Sequence, residues 1–338
     1  MLVDARLPKG ISDTRARAAA REVDGYDGLW VSETGYDPFL QALQAIEATS
    51  RATVGTAIAV AFARSPLTVA HSAYDLARYA EGRFVLGLGT QVKPHVERRF
   101  GMPWSSPAAR MREYVLALRA IWGAWEGGTG LTFEGEFYKH SLMTPAFSPE
   151  PHPHGAPQVY LAGVGERMTE ISGQVAEGFF IHPFTSRAYF DSVTRPALLR
   201  GRKAVGHDDL YDFTIAGATF VVTGRDESEL ARAVQGTKEQ IAFYASTPSY
   251  RGVLELHGRG DLGPELTRRT KQGGWHDLAG LIDDEFLGEV AVVGEPESVG
   301  ADVAARWGGV YDRLSLYTNY LIDHDVALQV VAGIRAAS

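Results

Sequence analysis

The sequence predicts an α/β fold, a (β/α)8 TIM barrel with insertions after strands 4 and 7. Short apolar runs alternate with helical patterns along the whole chain. Most of these runs are continuously apolar, as expected for parallel strands covered on both faces. Eight of them are each followed by a helical pattern, which matches the element count of such a barrel. An open doubly wound sheet remains the alternative, because alternation does not by itself require closure.

The first four strands are read at "LVDARL" (2–7), "GLWVSE" (28–33), "TVGTAIAV" (53–60) and "RFVLGLG" (83–89). The last four are "QVYLAG" (158–163), "GFFIHP" (178–183), "FTIAGATFVV" (213–222) and "DRLSLYT" (312–318). Between them, Ser12 is placed as the cap of a helix running to about Asp24. Pro38 opens a second helix, with Leu40, Leu43 and Ile46 as its apolar positions. Helical patterns at 67–81, 107–125, 166–177, 186–200, 227–245, 296–306 and 323–335 complete the set. One barrel domain over 1–338 is expected, with insertions at about 126–157 and 246–295. The first insertion holds a hairpin pattern, "LTFEGEFYKH", with Glu134 and Gly135 near its turn. Long segments after a strand's C-terminal end usually shape a barrel's active site.

Composition narrows the function classes. The chain has 338 residues, 45% hydrophobic and 22% charged, enough for a large core. Its net charge of −8 and the lack of a basic run argue against nucleic acid or an anionic membrane as partner. There is no cysteine, which excludes disulfides, thiolate nucleophiles and zinc–thiolate sites. No apolar run approaches a membrane span and "MLVDARLPKG" does not read as a signal peptide, so a cytoplasmic protein is expected. His152 and His154 share a Pro-rich loop with no acid or cysteine in metal spacing beyond Glu150, and no metal is expected. G-x-S-x-G, H-E-x-x-H and P-loop patterns are absent from the sequence.

Several residues stand where a barrel does chemistry. In "LGLGTQV", Gly87 and Gly89 are followed by Val92 where a dinucleotide fingerprint needs its third glycine. A strand ending in a close-approach turn fits better. "QVYLAGVGERMTEIS" runs strand, glycine-rich turn, helix, and free N–H groups at such a helix start can hold a phosphate. Arg167 adds a cation there. Glu33 and His182 each close a buried strand and are candidates for substrate contact or proton exchange. His71 falls in a helical pattern and is expected to pack.

At "ARYAEGRFVLGLGTQ" the chain resembles the bacterial-luciferase-like flavin and deazaflavin oxidoreductases. The turn "FARSPLTVA", with Arg64 and Pro66, resembles the family's approach to that strand. "GYDGLWVSE", "TFEGEFYKH", "PQVYLAGVGERMTEISGQVAEGFF" and "VVGEPESVGADV" follow the family order over nearly the whole chain. The nearest resemblance is to the coenzyme F420-dependent branch. It implies hydride transfer between a deazaflavin ring and a small organic substrate; an FMN-dependent monooxygenase is the alternative, and a homodimer is a common family state. By the same resemblance, Thr56, Ala57 and Ile58 back the ring, with a non-proline cis bond at Ala57–Ile58. Gly89, Thr90 and Gln91 line the ring and ribityl chain, and Gly163, Val164, Gly165, Arg167 and Met168 hold the phosphate. Two departures matter. Glu33 and Thr34 stand where several relatives of that branch keep an Asp-His pair, and Gln91 stands where one keeps an acid. Proton handling is therefore assigned to Glu33 and His182, with Gln91 as a positioning member of the catalytic set. Tyr250, His257 and Trp275 are expected in a lid over the pocket.

Overall fold

The eight expected strands close on themselves. In the computed structural model, which describes residues 1–272 and 278–338, they are β1 (Leu2–Arg6), β2 (Gly28–Val31), β3 (Thr53–Thr56), β4 (Phe84–Gly89), β5 (Gln158–Ala162), β6 (Gly178–Ile181), β7 (Thr214–Val222) and β8 (Arg313–Tyr317). All neighbours run parallel, and β8 returns to β1 in the register Leu2↔Arg313, Val3↔Leu314, Asp4↔Ser315. That last pairing settles closure against the open sheet. The helices around the barrel are α1 (Thr14–Val23), α2 (Pro38–Glu47), α3 (Pro66–Tyr79), α4 (Pro107–Gly127), α5 (Glu166–Val175), α6 (Arg195–Lys203), α7 (Glu227–Ala245) and α8 (His324–Ala337).

Local chemistry starts these helices where the chain needs them. Asp37 accepts the N–H groups of Phe39 and Leu40 ahead of α2, Ser65 accepts that of Thr68 in α3, and Asp226 that of Glu229 in α7. Pro occupies the first turn of α2, α3 and α4, where its missing N–H costs nothing. Two expectations are corrected. The cap residue of α1 is Asp13, without a side-chain bond, and Ser12 does not cap it. In α2 the buried face is Phe39, Ala42, Ala45 and Ile46, whereas Leu40 and Leu43 are exposed. The helix is rotated because Phe39 and two small alanines fit the sheet surface closely, and large leucines one position on do not reach it.

The insertions take the expected places with one addition. In the first, Phe133↔His140 and Glu134↔Lys139 pair antiparallel. The Glu113 carboxylate of α4 accepts the N–H groups of Glu136, Phe137 and Tyr138 and holds the turn against the barrel. The second contains helices Arg251–Leu256, Leu262–Lys271 and Asp284–Val290, then a three-residue strand, Ala291–Val293. This strand extends β7 in parallel (Phe220↔Ala291), and it is too short to carry a periodic signal. Its helix, Val299–Trp307, follows the 296–306 pattern.

The barrel interior is layered. Asp4 and Arg313 form a bidentate pair of 2.8 and 2.9 Å near the N-terminal end, and Trp30 Nε1 donates to Asp4 at 2.8 Å. Burial pushes the Asp4 carboxyl up, and Arg313 only partly offsets it. Trp30, Val85, Tyr160, Phe180 and Ala216 fill the next layer. Above them β2 to β5 and β7 present small inward residues, Ser32, Ala57, Gly89, Ala162 and Ala218, while Arg6, His182 and Tyr317 stand at the ends of β1, β6 and β8. The interior is therefore plugged below and open above.

Candidate active site

The open layer lies at the C-terminal mouth. The ends of β3 and β4 form one wall. The Ala57–Ile58 bond is cis, as the family resemblance implies, and the chain resumes pairing at Ala59–Val60 against Leu88 and Gly89. A side chain on Gly89 would place its Cβ 2.9 Å from Ile58, and one on Gly87 would come within 1.8 Å of the Thr56 carbonyl oxygen. Thr56 is fully buried and spends its hydroxyl on Gly87, donating to its oxygen at 2.7 Å and accepting its N–H at 2.9 Å. It knits β3 to β4 behind the wall and does not itself face the mouth.

The loop after β4 is held by its own side chains. Gln91 has a left-handed backbone, φ 61°, and its Oε1 accepts the N–H of Val92 at 3.0 Å. Thr90 donates to the Gln91 carbonyl at 2.9 Å. Gln91 thus shapes the loop, consistent with a positioning part. His95 is exposed one turn further on.

Glu33 does not face the mouth. Strand faces alternate, so Gly28, Trp30 and Ser32 point inward and Glu33 points out. Its Oε2 accepts the N–H of Val60 and an N–H of Arg64, both at 2.7 Å. Arg64 also donates to Asp37 at 2.9 Å. Burial disfavours the Arg64 charge, but Glu33 and then Asp37 outweigh it and raise its pKa. The inward place belongs to Ser32, which donates to the Ala57 carbonyl at 2.9 Å.

His182 does face the mouth. The Phe184 N–H donates to its Nδ1 at 3.1 Å, and Tyr244 and Tyr250 pack their rings 4.5 and 4.6 Å from it. Burial, with Arg6 adding to it, pushes its pKa down to about 3. A neutral ring that accepts at Nδ1 carries its proton on Nε2, and that N–H has no partner among the described residues. At neutral pH the His182 ring is therefore neutral and offers its Nε2–H as a hydrogen-bond donor.

Three mouth residues escaped the sequence reading: Arg6, Tyr244 and Tyr317. Tyr317 ends β8 and shares a 2.7 Å hydroxyl–hydroxyl bond with Tyr244 of α7. Arg6 ends β1, lies 5.2 Å over the Tyr317 ring and donates to Ser32 Oγ at 3.1 Å. Burial first and Tyr317 next hold Tyr244 far above the ordinary tyrosine range, and burial pushes Tyr250 up to about 12. Both stay protonated. The strand-end logic applied to His182 would also have found Arg6 and Tyr317; Tyr244 carries no such signal.

The turn after β5 makes the other wall. Gly165 caps α5 without any side-chain bond, so the first-turn N–H groups are free of intrahelical partners. Gly163 lets Met168 fold over it, since an added Cβ would lie 2.5 Å from Met168 Cγ. Val164 accepts the Tyr189 hydroxyl at 3.5 Å. Arg167 is exposed and lines an outer groove with Arg112, Glu166 and Gln174. A cleft lined by Gly163, Val164, His182, Thr185, Tyr189 and Tyr250 joins this turn to the mouth. Thr185 is 4% exposed and its Oγ1 has no hydrogen-bond partner. An orphaned hydroxyl beside a free helix start fits a phosphate-bearing ligand, and the glycine-lined wall fits a flat ring.

Of the lid residues, Tyr250 meets His182, as described. His257 instead joins the Ser186 hydroxyl through Nε2 at 2.8 Å, fastening the second insertion to the loop after β6. Trp275 lies outside the described residues. His71 packs on Trp125 with ring centres 4.7 Å apart, and His152 packs on Tyr74 at 4.3 Å. Among the described residues no helix is long and apolar enough to cross a membrane, and no group of three or more potential ligands is gathered for a metal ion.

Comparison with known proteins gives consistent relatives. An uncharacterized protein of Mycobacterium tuberculosis is 52% identical over 312 residues, covering 92% of each chain. The solved structure of coenzyme F420 dependent tetrahydromethanopterin reductase from Methanopyrus kandleri superposes with a TM-score of 0.79 at 20% identity, covering 100% of both chains. A riboflavin lyase solved with modified FMN and riboflavin superposes with a TM-score of 0.75 at 15% identity, covering 97% of this chain and 85% of its own. The model of the luciferase-like monooxygenase family matches residues 3–312, and the chain belongs to that family.

Proposed function

We propose that this protein is an F420-dependent oxidoreductase transferring hydride between the deazaflavin ring and a small organic substrate. The observation that carries the reading is the grading of the barrel interior. Trp30, Tyr160 and Phe180 plug it, and above them Ser32, Ala57, Gly89 and Ala162 give one side of the mouth a wall of small residues facing Arg6, His182 and Tyr317, which suits a flat ring against that wall. The sequence pieces nearest the F420-dependent branch, and the likeness to the Methanopyrus kandleri reductase, support the deazaflavin over other rings.

When bound, the deazaflavin supplies the two-electron hydride chemistry. The chain supplies the rest. Ala57, Ile58 and Gly89 would back one side of the ring, with Thr90 and Gln91 setting the loop beside it. Gly163, Val164, Gly165 and Met168 would present backbone N–H groups to the phosphate, with the Thr185 hydroxyl as a further donor. His182 Nε2–H would donate to an oxygen of ring or substrate, and Tyr250 would exclude water above it. Glu33 would act at one remove, holding Val60 and Arg64 so that the Ala57–Ile58 segment keeps its place.

An FMN-dependent monooxygenase on the same barrel is the second reading, favoured by the likeness to the FMN-containing lyase. A spectral titration separates the two. Purified protein is mixed in parallel with F420 and with FMN, following absorbance and fluorescence. A saturable F420 response with little FMN response is expected; tight FMN binding with no F420 response would overturn the proposal.

A further inference from the structure

The substrate half of the mouth has its own chemistry. A continuous belt runs from Ser32 through Arg6, Tyr317, Tyr244 and His182 to Tyr250. Its members come from the ends of β1 and β8, the residues just after β2 and β6, α7 and the second insertion, and each touches the next. Four of the six are rings that present flat faces or edges, and their titratable groups are held neutral where a shift is resolved: His182 by loss of its proton, Tyr244 and Tyr250 by keeping theirs. Arg6 is the exception. It carries five N–H donors and gives one bond, to Ser32. Among the described residues no carboxylate lies within ion-pair distance of it; the nearest inward acid on its own strand, Asp4, is already paired bidentately with Arg313. The belt therefore holds one uncompensated positive charge amid neutral rings, with a second free donor at His182 Nε2.

A surface arginine without a partner is ordinary. Arg6 is exposed too, but the inward parity of β1, the bond to Ser32 and the stack on Tyr317 orient its guanidinium at the mouth, and its charge reaches both His182 and Tyr244. A guanidinium fixed in this way suits a planar oxyanion, which it can bind through two parallel N–H bonds. The rings beside it suit a flat body. We infer that the substrate is a small planar carboxylate, aromatic or conjugated, anchored by Arg6 with its body against Tyr244, Tyr250 and Tyr317. This inference rests on the proposed oxidoreductase reading for its site but concerns binding alone.

The test uses cinnamate as probe and cinnamamide as its uncharged isostere, with binding to the full chain followed by intrinsic fluorescence and calorimetry, without cofactor and after F420 titration. Wild type is expected to bind cinnamate about tenfold tighter than cinnamamide, with the preference shrinking as salt rises. Arg6→Met should bring cinnamate down to the level of the amide while the F420 titration stays as in wild type. Equal binding of acid and amide by wild type overturns the inference, and this comparison needs no variant to fold. An Arg6→Met protein that loses its F420 response while keeping the preference for cinnamate also overturns it, because Arg6 would then serve the cofactor. The two readings fail separately: absence of any F420 response with a retained preference for cinnamate sinks the cofactor assignment and leaves the anchor standing.

Discussion

The Phe184 N–H donates to Nδ1 of His182 at 3.1 Å, and this one bond fixes which nitrogen of the ring carries the proton. Burial makes the charged form unfavourable, so the folded-state pKa, about 3, lies below the ordinary 6.5. The sign follows. Between those values the unfolded chain binds a proton that the folded chain refuses, so stability is present above about pH 6.5 and falls as pH drops toward 3. Wild type should lose about 2 kcal/mol more than His182→Gln between pH 7 and pH 5. Urea denaturation at the two pH values measures it; parallel losses in both proteins would show that His182 does not titrate in this way.

Thr185 offers a test that separates binding from folding. Its buried hydroxyl lacks a partner in the free protein. Thr185→Val removes an orphan of the same shape, so stability should hold or rise by up to about 1 kcal/mol. F420 affinity should fall about fivefold if that hydroxyl donates to the phosphate. Thermal melts and the spectral titration are the readouts, and an unchanged affinity would remove Thr185 from the cradle.

Two glycines of β4 should behave differently. In Gly87→Ala the new Cβ meets the Thr56 carbonyl oxygen at 1.8 Å, a backbone atom that cannot step aside. A loss of about 3 kcal/mol is expected. In Gly89→Ala the contact is with the Ile58 side chain at 2.9 Å, which can shift at a cost of about 1 kcal/mol. Yet Ile58 then shifts beside the proposed ring slot, so Gly89→Ala should weaken F420 binding far more than it weakens the fold. Chemical denaturation set beside cofactor titration checks both.

Glu33 is expected to act through the wall and not on substrate. Glu33→Ala frees a half-buried Arg64 of its 2.7 Å partner and leaves the Val60 N–H without an acceptor. A cost of about 3 kcal/mol follows, moderated by Asp37, which stays 2.9 Å from Arg64. Glu33→Gln keeps an acceptor for Val60 and should recover a good part of it. If Glu33 worked as an acid or base, Glu33→Gln would abolish turnover with unchanged stability and cofactor affinity.

Much of the barrel is legible in the sequence alone. "GFFIHP" and "RFVLGLG" read as buried strands because apolar continuity is a local property, and Asp37-Pro38 and Ser65-Pro66 mark helix starts through bonds spanning only a few residues. The resemblance placed the cis bond at Ala57–Ile58, where it is found. Errors arose where one residue of phase matters. Glu33 and Ser32 are neighbours, and a strand turns them to opposite faces, so an acid assigned to the mouth became a buried partner of Arg64. In α2 the same one-position slip put Leu40 and Leu43 in solvent.

The sequence by itself determined the order of the eight barrel strands, the glycine-rich turns and the family resemblance, because each rests on short-range pattern; closure rests on the pairing of β8 with β1. Only the tertiary structure decided what the mouth is made of. Arg6, Tyr244 and Tyr317 lie at distant points of the chain and meet because β8 pairs with β1 and α7 packs across their ends. Burial among those neighbours, which no local pattern records, then fixes that His182 is neutral, and leaves Arg6, bonded to Ser32, with no carboxylate in ion-pair distance among the described residues.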